Sequence, residues 1–389
     1  MRELLNSLSG MRFIAAALIA FHHTAWMYPL SKYIDDHIDA DLGVTFFFVL
    51  SGFILYYTHN NISTKSQSIR FIVARIARIW PLHVACLLMV LCIFPSPWGY
   101  PGESVAWLKI LANLFLMHAW IPYAKYFFSF NGPSWSISVE LFFYVLFPFL
   151  LYRFKKNWHF KLILAFITGL AVVMAVQKMA LPMLHYGDPL MGPNQWASGT
   201  LPLVRLTEFL TGILACAFWL RIKKKVVDNS YLFTCLEVAS LLLGLFTLCW
   251  FPHIISISFD GYVLGSWLTR TLAAPMFATI IAVFAFGRGA PSKFIGCRWM
   301  VLLGEASFSL YMTHEIVARC IANYAPSVLF KDSYWLGPLI FWTLCLSVSF
   351  ATWKIIERPC RKFILARFDS HVRKPNMNAT SQKQSNNVA

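Results

Sequence analysis

Residues 43–59 read GVTFFFVLSGFILYYTH, a run of 17 residues that contains no Asp, Glu, Lys or Arg. At about 1.5 Å of rise per residue a helix of this length spans roughly 25 Å. That length approaches the thickness of the hydrocarbon core of a bilayer. An uncharged apolar run of this kind is typical of a transmembrane helix, and the rest of the chain repeats the pattern.

The overall composition leads to the same class of protein. The chain has 389 residues, of which 58% are hydrophobic and 13% are charged, and its mean hydropathy is +0.60. Soluble domains carry roughly a quarter of charged residues, so a single soluble core, a disordered chain and a coiled coil are all excluded. The net charge is +16, and the Lys and Arg residues lie among the apolar runs. This distribution favours a role in orienting the chain in a lipid bilayer over a role in nucleic-acid binding.

Eleven apolar segments have about the length of a membrane span. They are 11–28, 43–59, 80–95, 105–121, 135–152, 160–180, 203–220, 231–252, 270–286, 299–322 and 336–356. The basic loops 60–79 and 153–161 must share the cytoplasmic side, so one of the three segments between them does not cross. Segment 105–121 is the candidate, because it contains Lys109 and His118. We therefore expect an all-α bundle of about ten transmembrane helices plus one re-entrant or interfacial segment, with both termini cytoplasmic.

The sequence predicts one folded domain and a short tail. Residues 1–368 are expected to form the transmembrane domain, and the polar and basic residues 369–389 a disordered cytoplasmic tail. The apolar run 13–21 lacks a small-residue cleavage site, which favours an uncleaved first span over a signal peptide. The nine cysteines are scattered and form no C-x-x-C motif, so neither a disulfide framework nor a metal site is expected.

The first span contains ionisable residues, of which Arg12 and His23 share a helix face. Arg12 and His23 are eleven residues apart, which is about three helical turns and places them on one face roughly 16 Å apart. Ionisable groups inside a membrane are costly and are therefore functional candidates. The alternative is an arginine that reaches the interface and a histidine that lies at it.

Further polar pairs occur at helical spacing in later spans. Ser136 and Glu140 stand at i and i+4, on one helix face, and a buried Glu needs a His or Arg partner. Tyr311 and His314 stand at i and i+3. The alternatives are a packing or capping acid and a histidine whose hydrogen bonds are satisfied in the core.

The third span is preceded by two arginines one helical turn apart. Arg75 and Arg78 form an R-x-x-R pair, an arrangement that can clamp a phosphate or diphosphate. The same residues also fit the ordinary positive charge of a cytoplasmic loop.

Taken together, these motifs resemble the acyltransferase-3 family of bacterial membrane O-acyltransferases. The resemblance covers roughly residues 5–365 and depends on order and spacing, because each motif alone is weak. It rests on Arg12 with ten residues before His23, FFFVLSGF at 46–53, WSISVE at 135–140, SLYMTH at 309–314, RLTEFLTG at 205–212 and IERP at 356–359.

The resemblance implies an enzyme of the bacterial cytoplasmic (inner) membrane. It would move an acyl group, usually acetyl, from cytoplasmic acetyl-CoA or another acyl-CoA to a hydroxyl of a carbohydrate or lipid-linked glycan, without a bound cofactor. His23 would serve as general base or as transient acyl carrier. The implied catalytic residues are His23, Arg12, Glu140 and His314. Those implied in binding acyl-CoA are Arg75, Arg78, Tyr311, Ser136 and Trp135.

Two departures from the family pattern qualify this picture. Thr313 stands where family members often carry Trp, so the pocket wall is expected to differ there. No appended hydrolase-like domain is expected, so the acceptor is expected to be served by the membrane domain or by a separate periplasmic or glycosyltransferase partner. Choice of acceptor is expected in loops 29–42 and 181–202, although the acidic run 35–41 also fits a solvated loop.

Other functions use similar residues. The main alternative is a multi-span transporter or flippase for an envelope glycan precursor, in which buried Arg, His and Glu line a substrate or proton path. A membrane O-acyltransferase of the unrelated His/Asn type and a non-catalytic scaffold are less favoured, because neither explains the Arg12 and His23 pair.

Overall fold

The computed structural model describes residues 5–94, 106–179, 193–259, 262–325 and 334–370. These ranges are helical and contain no strand. Ten of their helices have 17 or more residues and are numbered here in chain order. They are α1 (Asn6–His23), α2 (Leu42–His59), α3 (Lys65–Ile93), α4 (Trp135–Leu151), α5 (Phe154–Lys178), α6 (Leu206–Ile222), α7 (Ser230–Cys249), α8 (Tyr262–Phe284), α9 (Arg298–Tyr324) and α10 (Leu336–Thr352).

Shorter helical pieces lie between these helices and after α10. They are Pro29–His37, Ala106–Leu114, His118–Trp120, Ala124–Phe127, Gly132–Ser134, Pro193–Gln195, Trp196–Thr200, Pro202–Arg205, Phe251–Ser258, Ala290–Ile295 and Trp353–Glu357. Helix continues from α10 as far as Ser370.

Eight helices in the described ranges are long and apolar enough to cross a membrane, namely α2 to α8 and α10. Helices α1 and α9 have 18 and 27 residues but are more polar, because they carry ionisable side chains along their length. The predicted class, an all-α polytopic membrane bundle, is confirmed.

Segment 105–121 does not form one continuous helix. Its helix Ala106–Leu114 has nine residues, about 13 Å, which is less than half of the ~30 Å hydrocarbon core. The chain then turns at Leu116, whose φ is 56°. Trp80 Nε1 donates to the carbonyl of Leu114 at 2.8 Å, and His83 Nε2 donates to that of Asn113 at 2.9 Å. The Asn113 carbonyl also accepts from the Leu116 amide at 2.9 Å, and the Trp80 bond satisfies the carbonyl of Leu114 at the helix end.

Several predicted boundaries were wrong. Helix α3 begins at Lys65 and not near residue 80, so the basic residues placed in loop 60–79 lie on the helix. A capping box starts it, in which Thr64 Oγ1 accepts from the Gln67 amide at 3.2 Å and Gln67 Oε1 accepts from the Thr64 amide at 3.3 Å. Helix α5 likewise takes in most of the predicted loop 153–161.

The tail and one predicted loop are only partly covered. Helix extends to Ser370, so the predicted disordered tail does not begin at residue 369. Its remainder, 371–389, lies outside the described residues, as does 181–192 of the predicted loop 181–202.

Helix α1 packs closely against α9 on one side and against α2 on the other. The approach of α1 to α9 depends on Gly304, where an added Cβ would lie 1.9 Å from the carbonyl oxygen of Ser9. No other residue type has a backbone that can come this near to a neighbour. The contact sets the polar face of α1 against that of α9.

Candidate active site

A cavity of about 320 Å³ lies between α1, α2, α3, α4 and α9. Apolar side chains form most of its wall, and ionisable or hydroxyl groups from all five helices interrupt it. Those polar groups belong to Ser9, Arg12, Ser51, Tyr57, Thr58, Arg75, Arg78, Ser136, Glu140, Tyr144, Ser307 and Tyr311. The structure therefore brings together six of the nine residues that the sequence singled out.

Three arginines line the cavity, one from α1 and two from α3. Arg75 is only 9% exposed, and among the described residues its Nε has no hydrogen-bond partner. Glu357 is near enough to Arg12 and Arg78 to interact with both electrostatically. A buried guanidinium donor without a partner costs free energy, and an anionic ligand in the cavity would relieve that cost.

The carboxylate of Glu140 lies in the same cavity. Tyr144, one helical turn further along α4, donates a hydrogen bond to Glu140 Oε1, and Ser51 on α2 donates to the same oxygen at 3.4 Å. Glu140 also interacts electrostatically with Arg12 and Arg75. Of the His or Arg partner expected from the sequence, the structure provides nearby arginines, and the hydrogen bonds to the carboxylate come from two hydroxyls.

Tyr311 connects α9 to the start of α4. Its hydroxyl donates to the carbonyl of Pro133 at 3.1 Å and is hydrogen-bonded to Ser136 Oγ at 2.8 Å. Ser136 Oγ is in turn 2.9 Å from the same Pro133 carbonyl. These bonds fix both hydroxyls at the cavity wall.

Beyond Tyr311 two histidines meet across α1 and α9. His23 Nδ1 lies 2.7 Å from His314 Nε2, and the rings are within 9° of parallel. His314 is fully buried, with 0% of its surface exposed. The ring of Tyr311 is centred 5.9 Å from that of His314. The tyrosine therefore lines the cavity and also lies against one histidine of the pair.

Besides the two histidines, Trp135 and Thr313 also lie outside the cavity lining. Trp135 packs with Phe48 at a ring distance of 6.3 Å and with the guanidinium of Arg205 at 6.0 Å. Thr313 donates to the carbonyl of Ser309 at 2.8 Å and lies 3.4 Å from the hydroxyl of Ser349 on α10. The expectation that Thr313 shapes the pocket wall is thus wrong, because this side chain faces α10.

Several polar residues near the site were not singled out from the sequence. Tyr144 and Ser51, which bind Glu140, are two of them. The i, i+4 spacing of Glu140 and Tyr144 was a usable signal. Arg205 and Glu208, seen only as part of a motif, form an ion pair at 3.1 Å with both side chains 1% exposed. No local pattern could have identified Ser51, because its partner Glu140 lies 89 residues away in the sequence.

The acidic run before α2 is more structured than a solvated loop. Asp35 lies on the helix Pro29–His37 and is 2.5 Å from His22 Nδ1. Asp41 pairs with Arg270 of α8 at 2.8 Å. Burial alone would raise the pKa of Asp41, but the guanidinium of Arg270 outweighs it and lowers that pKa to about 2. Two of the four aspartates therefore anchor this segment to α1 and α8.

The chain matches the acyltransferase domain family over residues 5–357. It therefore belongs to that family, and the described fold is that of an all-α polytopic membrane bundle. No solved structure matches the chain.

Individual relatives agree with this assignment. Acyltransferase MdmB of Streptomyces mycarofaciens is 31% identical over 54% of this chain and 56% of the relative. Exopolysaccharide production protein ExoZ of Rhizobium meliloti is 26% identical over 82% of this chain and 88% of the relative. O-acetyltransferase OatA of Staphylococcus aureus is 22% identical over 92% of this chain and 57% of the relative. The chain thus spans little more than half the length of two of these relatives.

Proposed function

We propose that this enzyme transfers an acyl group, acetyl in the simplest case, from cytoplasmic acyl-CoA to a hydroxyl of an envelope or exported carbohydrate. The observation that carries the proposal is the cavity with three arginines, whose lining residue Tyr311 lies against His314 of the His23 and His314 pair. The names of two relatives refer to O-acetyl transfer and to exopolysaccharide production, which favours an acetyl donor and a carbohydrate acceptor.

The arginines suit the phosphates of CoA. Arg75 and Arg78 are one turn apart on α3 and converge with Arg12 on one cavity. Guanidinium groups bind phosphate oxygens through paired, charge-assisted hydrogen bonds. With the phosphates held there, the pantetheine arm would extend past Ser136 and Tyr311 and carry the thioester toward His23.

The histidine suits the chemical step. A hydroxyl is a weak nucleophile at neutral pH, and an imidazole in reach can take its proton as it attacks the thioester carbonyl. A C–O bond forms, the C–S bond breaks, and the proton on His23 passes to the departing CoA thiolate. The same nitrogen can instead attack the thioester first and carry the acyl group to the acceptor, which leaves the overall balance unchanged.

We place the arginine end of the cavity at the cytoplasmic face of the bacterial inner membrane. Both ends of the chain would then lie in the cytoplasm. Loop charge supports this orientation, because Lys and Arg are concentrated at one end of the helices. The acceptor would approach from the opposite face, near the segment that contains Asp35 and Asp41.

The direct test follows the acyl group. Purified protein in detergent is incubated with radiolabelled acetyl-CoA and glycan acceptors, and both free CoA thiol and labelled glycan are measured. We expect thioester cleavage by the wild type and a loss of about 10²–10⁴-fold in His23→Ala, the usual contribution of a general base. His159→Ala, an exposed histidine on α5, is the matched control and should retain full activity.

Two outcomes contradict the proposal. An intact thioester with every acceptor would favour the transporter or flippase alternative, and full activity in His23→Ala would remove the catalytic assignment. Rapid quenching before acceptor is added separates the two chemical routes, because label bound to the protein through His23 appears only when His23 carries the acyl group.

A further inference from the structure

The hydrogen bonds of His314 determine where its proton lies. His314 Nδ1 is 3.2 Å from the backbone carbonyl oxygen of Leu310. A carbonyl oxygen can only accept, so the proton of this contact belongs to His314 Nδ1. A neutral imidazole has one N–H, and His314 Nε2 is then left with a lone pair.

The lone pair on His314 Nε2 in turn determines the tautomer of His23. Its Nδ1 lies 2.7 Å from His314 Nε2, and two lone pairs at that distance would repel. His23 Nδ1 must therefore carry the proton and donate it, which leaves the lone pair of His23 on Nε2. The two hydrogen bonds form a series, in which His23 donates through Nδ1 to His314 and His314 donates through Nδ1 to the Leu310 carbonyl.

If His314 were protonated on both nitrogens, its Nε2 would donate to His23 Nδ1 and the direction of that hydrogen bond would be reversed. The environment of His314 disfavours the charged form. The ring is 0% exposed, and its hydrogen bonds run to a carbonyl and to another imidazole. Neither partner supplies the full negative charge that a buried cation needs. His314 is accordingly neutral at rest.

We propose that His314 is a positioning residue, which holds His23 in the tautomer with its proton on Nδ1 and makes Nε2 the reactive nitrogen. The inference rests on the proposed function for what Nε2 does next, whether it takes a proton or an acyl group. His314 itself does not touch the substrate in this scheme.

The arrangement has the logic of an oriented general base, with one difference. In a Ser-His-Asp triad an aspartate fixes the tautomer and also stabilises the imidazolium that forms. A neutral histidine fixes the tautomer but adds little stabilisation of charge. We therefore expect His314 to act mainly on the fraction of His23 that is correctly protonated, and hence on kcat.

The tautomer can be observed without any substrate. Protein labelled with ¹⁵N at histidine gives distinct resonances for protonated and unprotonated ring nitrogens, and comparison with His23→Gln assigns those of His23. We expect a protonated Nδ1 and an unprotonated Nε2 on His23 in the wild type. An unprotonated Nδ1 on His23 would overturn the inference even if the enzyme proves active.

Three substitutions of His314 separate positioning from packing. His314→Gln places an amide oxygen near the position of Nε2, His314→Asn is polar but too short, and His314→Leu fills the space without an acceptor. We expect kcat to fall about 10²-fold or more in the Asn and Leu variants and less than about tenfold in the Gln variant, since a mis-set tautomer costs up to about 10⁴ in a triad. The KM for acetyl-CoA should change less than about threefold, given that the arginine end is untouched.

The outcomes remain distinguishable from failure of the function itself. If His23→Ala is inactive while His314→Leu is as active as the wild type, the proposed function stands and the positioning role is wrong. Equal losses in Gln and Leu, with unchanged thermal unfolding and an unchanged His23 tautomer, would also contradict it. A variant that fails to fold shows itself in the thermal unfolding measurement, and the wild-type ¹⁵N spectrum then decides alone.

Discussion

Arg75 and Arg78 differ from the other arginine on α3 in where they point. Both line the cavity, and Arg75 has a buried donor without a partner among the described residues. Arg70, less than two turns earlier, is exposed and pairs with Asp369 at 3.0 Å. One helix thus carries two arginines directed to the cavity and a third that pairs with a residue of the chain itself, which provides an internal comparison.

Removing the cavity arginines should weaken binding of the donor. We expect the KM for acetyl-CoA to rise about tenfold or more in Arg75→Gln and Arg78→Gln, since a charge-assisted hydrogen bond contributes about 1.5–3 kcal/mol. Acetyl-pantetheine, which lacks the CoA phosphates, should be used equally by these variants and the wild type. Steady-state kinetics with both donors measures this difference.

Arg70→Gln is the matched control, because it removes the same charge from the same helix. Its KM for acetyl-CoA should stay within about twofold of the wild type, as exposed ion pairs contribute little. A larger effect in Arg70→Gln than in Arg78→Gln would mean that the arginines act through the general positive field of the helix and not through the cavity.

At the scale of helices, α1 and α9 stand apart from the rest of the bundle. Eight helices satisfy the length and apolarity expected of membrane spans, whereas these two carry the histidine pair and are more polar. Polar helices of this kind are stable inside a membrane when other helices surround them and satisfy their side chains. The close approach at Gly304 is therefore a condition for the site.

Filling that approach should separate the two helices. Gly304→Ala places a Cβ 1.9 Å from the Ser9 carbonyl oxygen, and overpacking typically costs about 1–3 kcal/mol of stability. We expect a lower thermal unfolding temperature in detergent and a fall in acyl transfer, because His23 and His314 are carried on the helices that move apart.

The same substitution on α7 gives the comparison. A Cβ at Gly244 would lie 3.6 Å from Ile280, an ordinary contact. Gly244→Ala should leave activity unchanged and raise stability slightly, because alanine is favoured over glycine in a helix by up to about 1 kcal/mol. If both variants behave alike, the packing of α1 against α9 does not depend on Gly304.

Local pattern was sufficient for the existence of the helices but less so for their ends. The run at 43–59 was predicted within one residue of α2, Leu42–His59. The predicted start of α3 at residue 80 lies fifteen residues after the observed start at Lys65, because the arginines in between also fit the charge of a cytoplasmic loop. The Thr64 and Gln67 capping pattern in the sequence marks the true start. Charge alone does not end a helix when the helix extends beyond the membrane or when its cations bind a ligand.

Contacts between helices were beyond the reach of local pattern. His23 and His314 are separated by 291 residues and Ser51 and Glu140 by 89. Periodicity gives the face of a helix on which a residue lies, but it does not give the neighbour which that face meets. The pairing of Glu140 with hydroxyls, and of one histidine with another, required the packed bundle.

Over the whole molecule the ten long helices form a consistent path. Residues 106–134 contain only short helical pieces, so in the proposed topology α3 ends and α4 begins on the same side. Crossing by all ten then places the connections after α2, α4, α6 and α8 together with the start of α1. Lys and Arg occur in the connections after α4, α6 and α8, while those that follow α2 lie on the first turns of α3, and the cavity arginines lie toward that side. This topology makes donor entry from the cytoplasm a testable property of the whole chain.

Cysteine labelling of intact cells tests the orientation. In a background with the exposed Cys92, Cys235 and Cys297 replaced by serine, Lys224→Cys follows α6 and Asp36→Cys precedes α2. An impermeant maleimide should label the second variant in intact cells and the first only after permeabilisation, because the proposed orientation directs the positive end of the bundle to the cytoplasm. Both variants should be labelled equally in detergent, which controls for local reactivity. Labelling of Lys224→Cys in intact cells would reverse the topology and place the arginine end of the cavity outside, where no acyl-CoA is supplied.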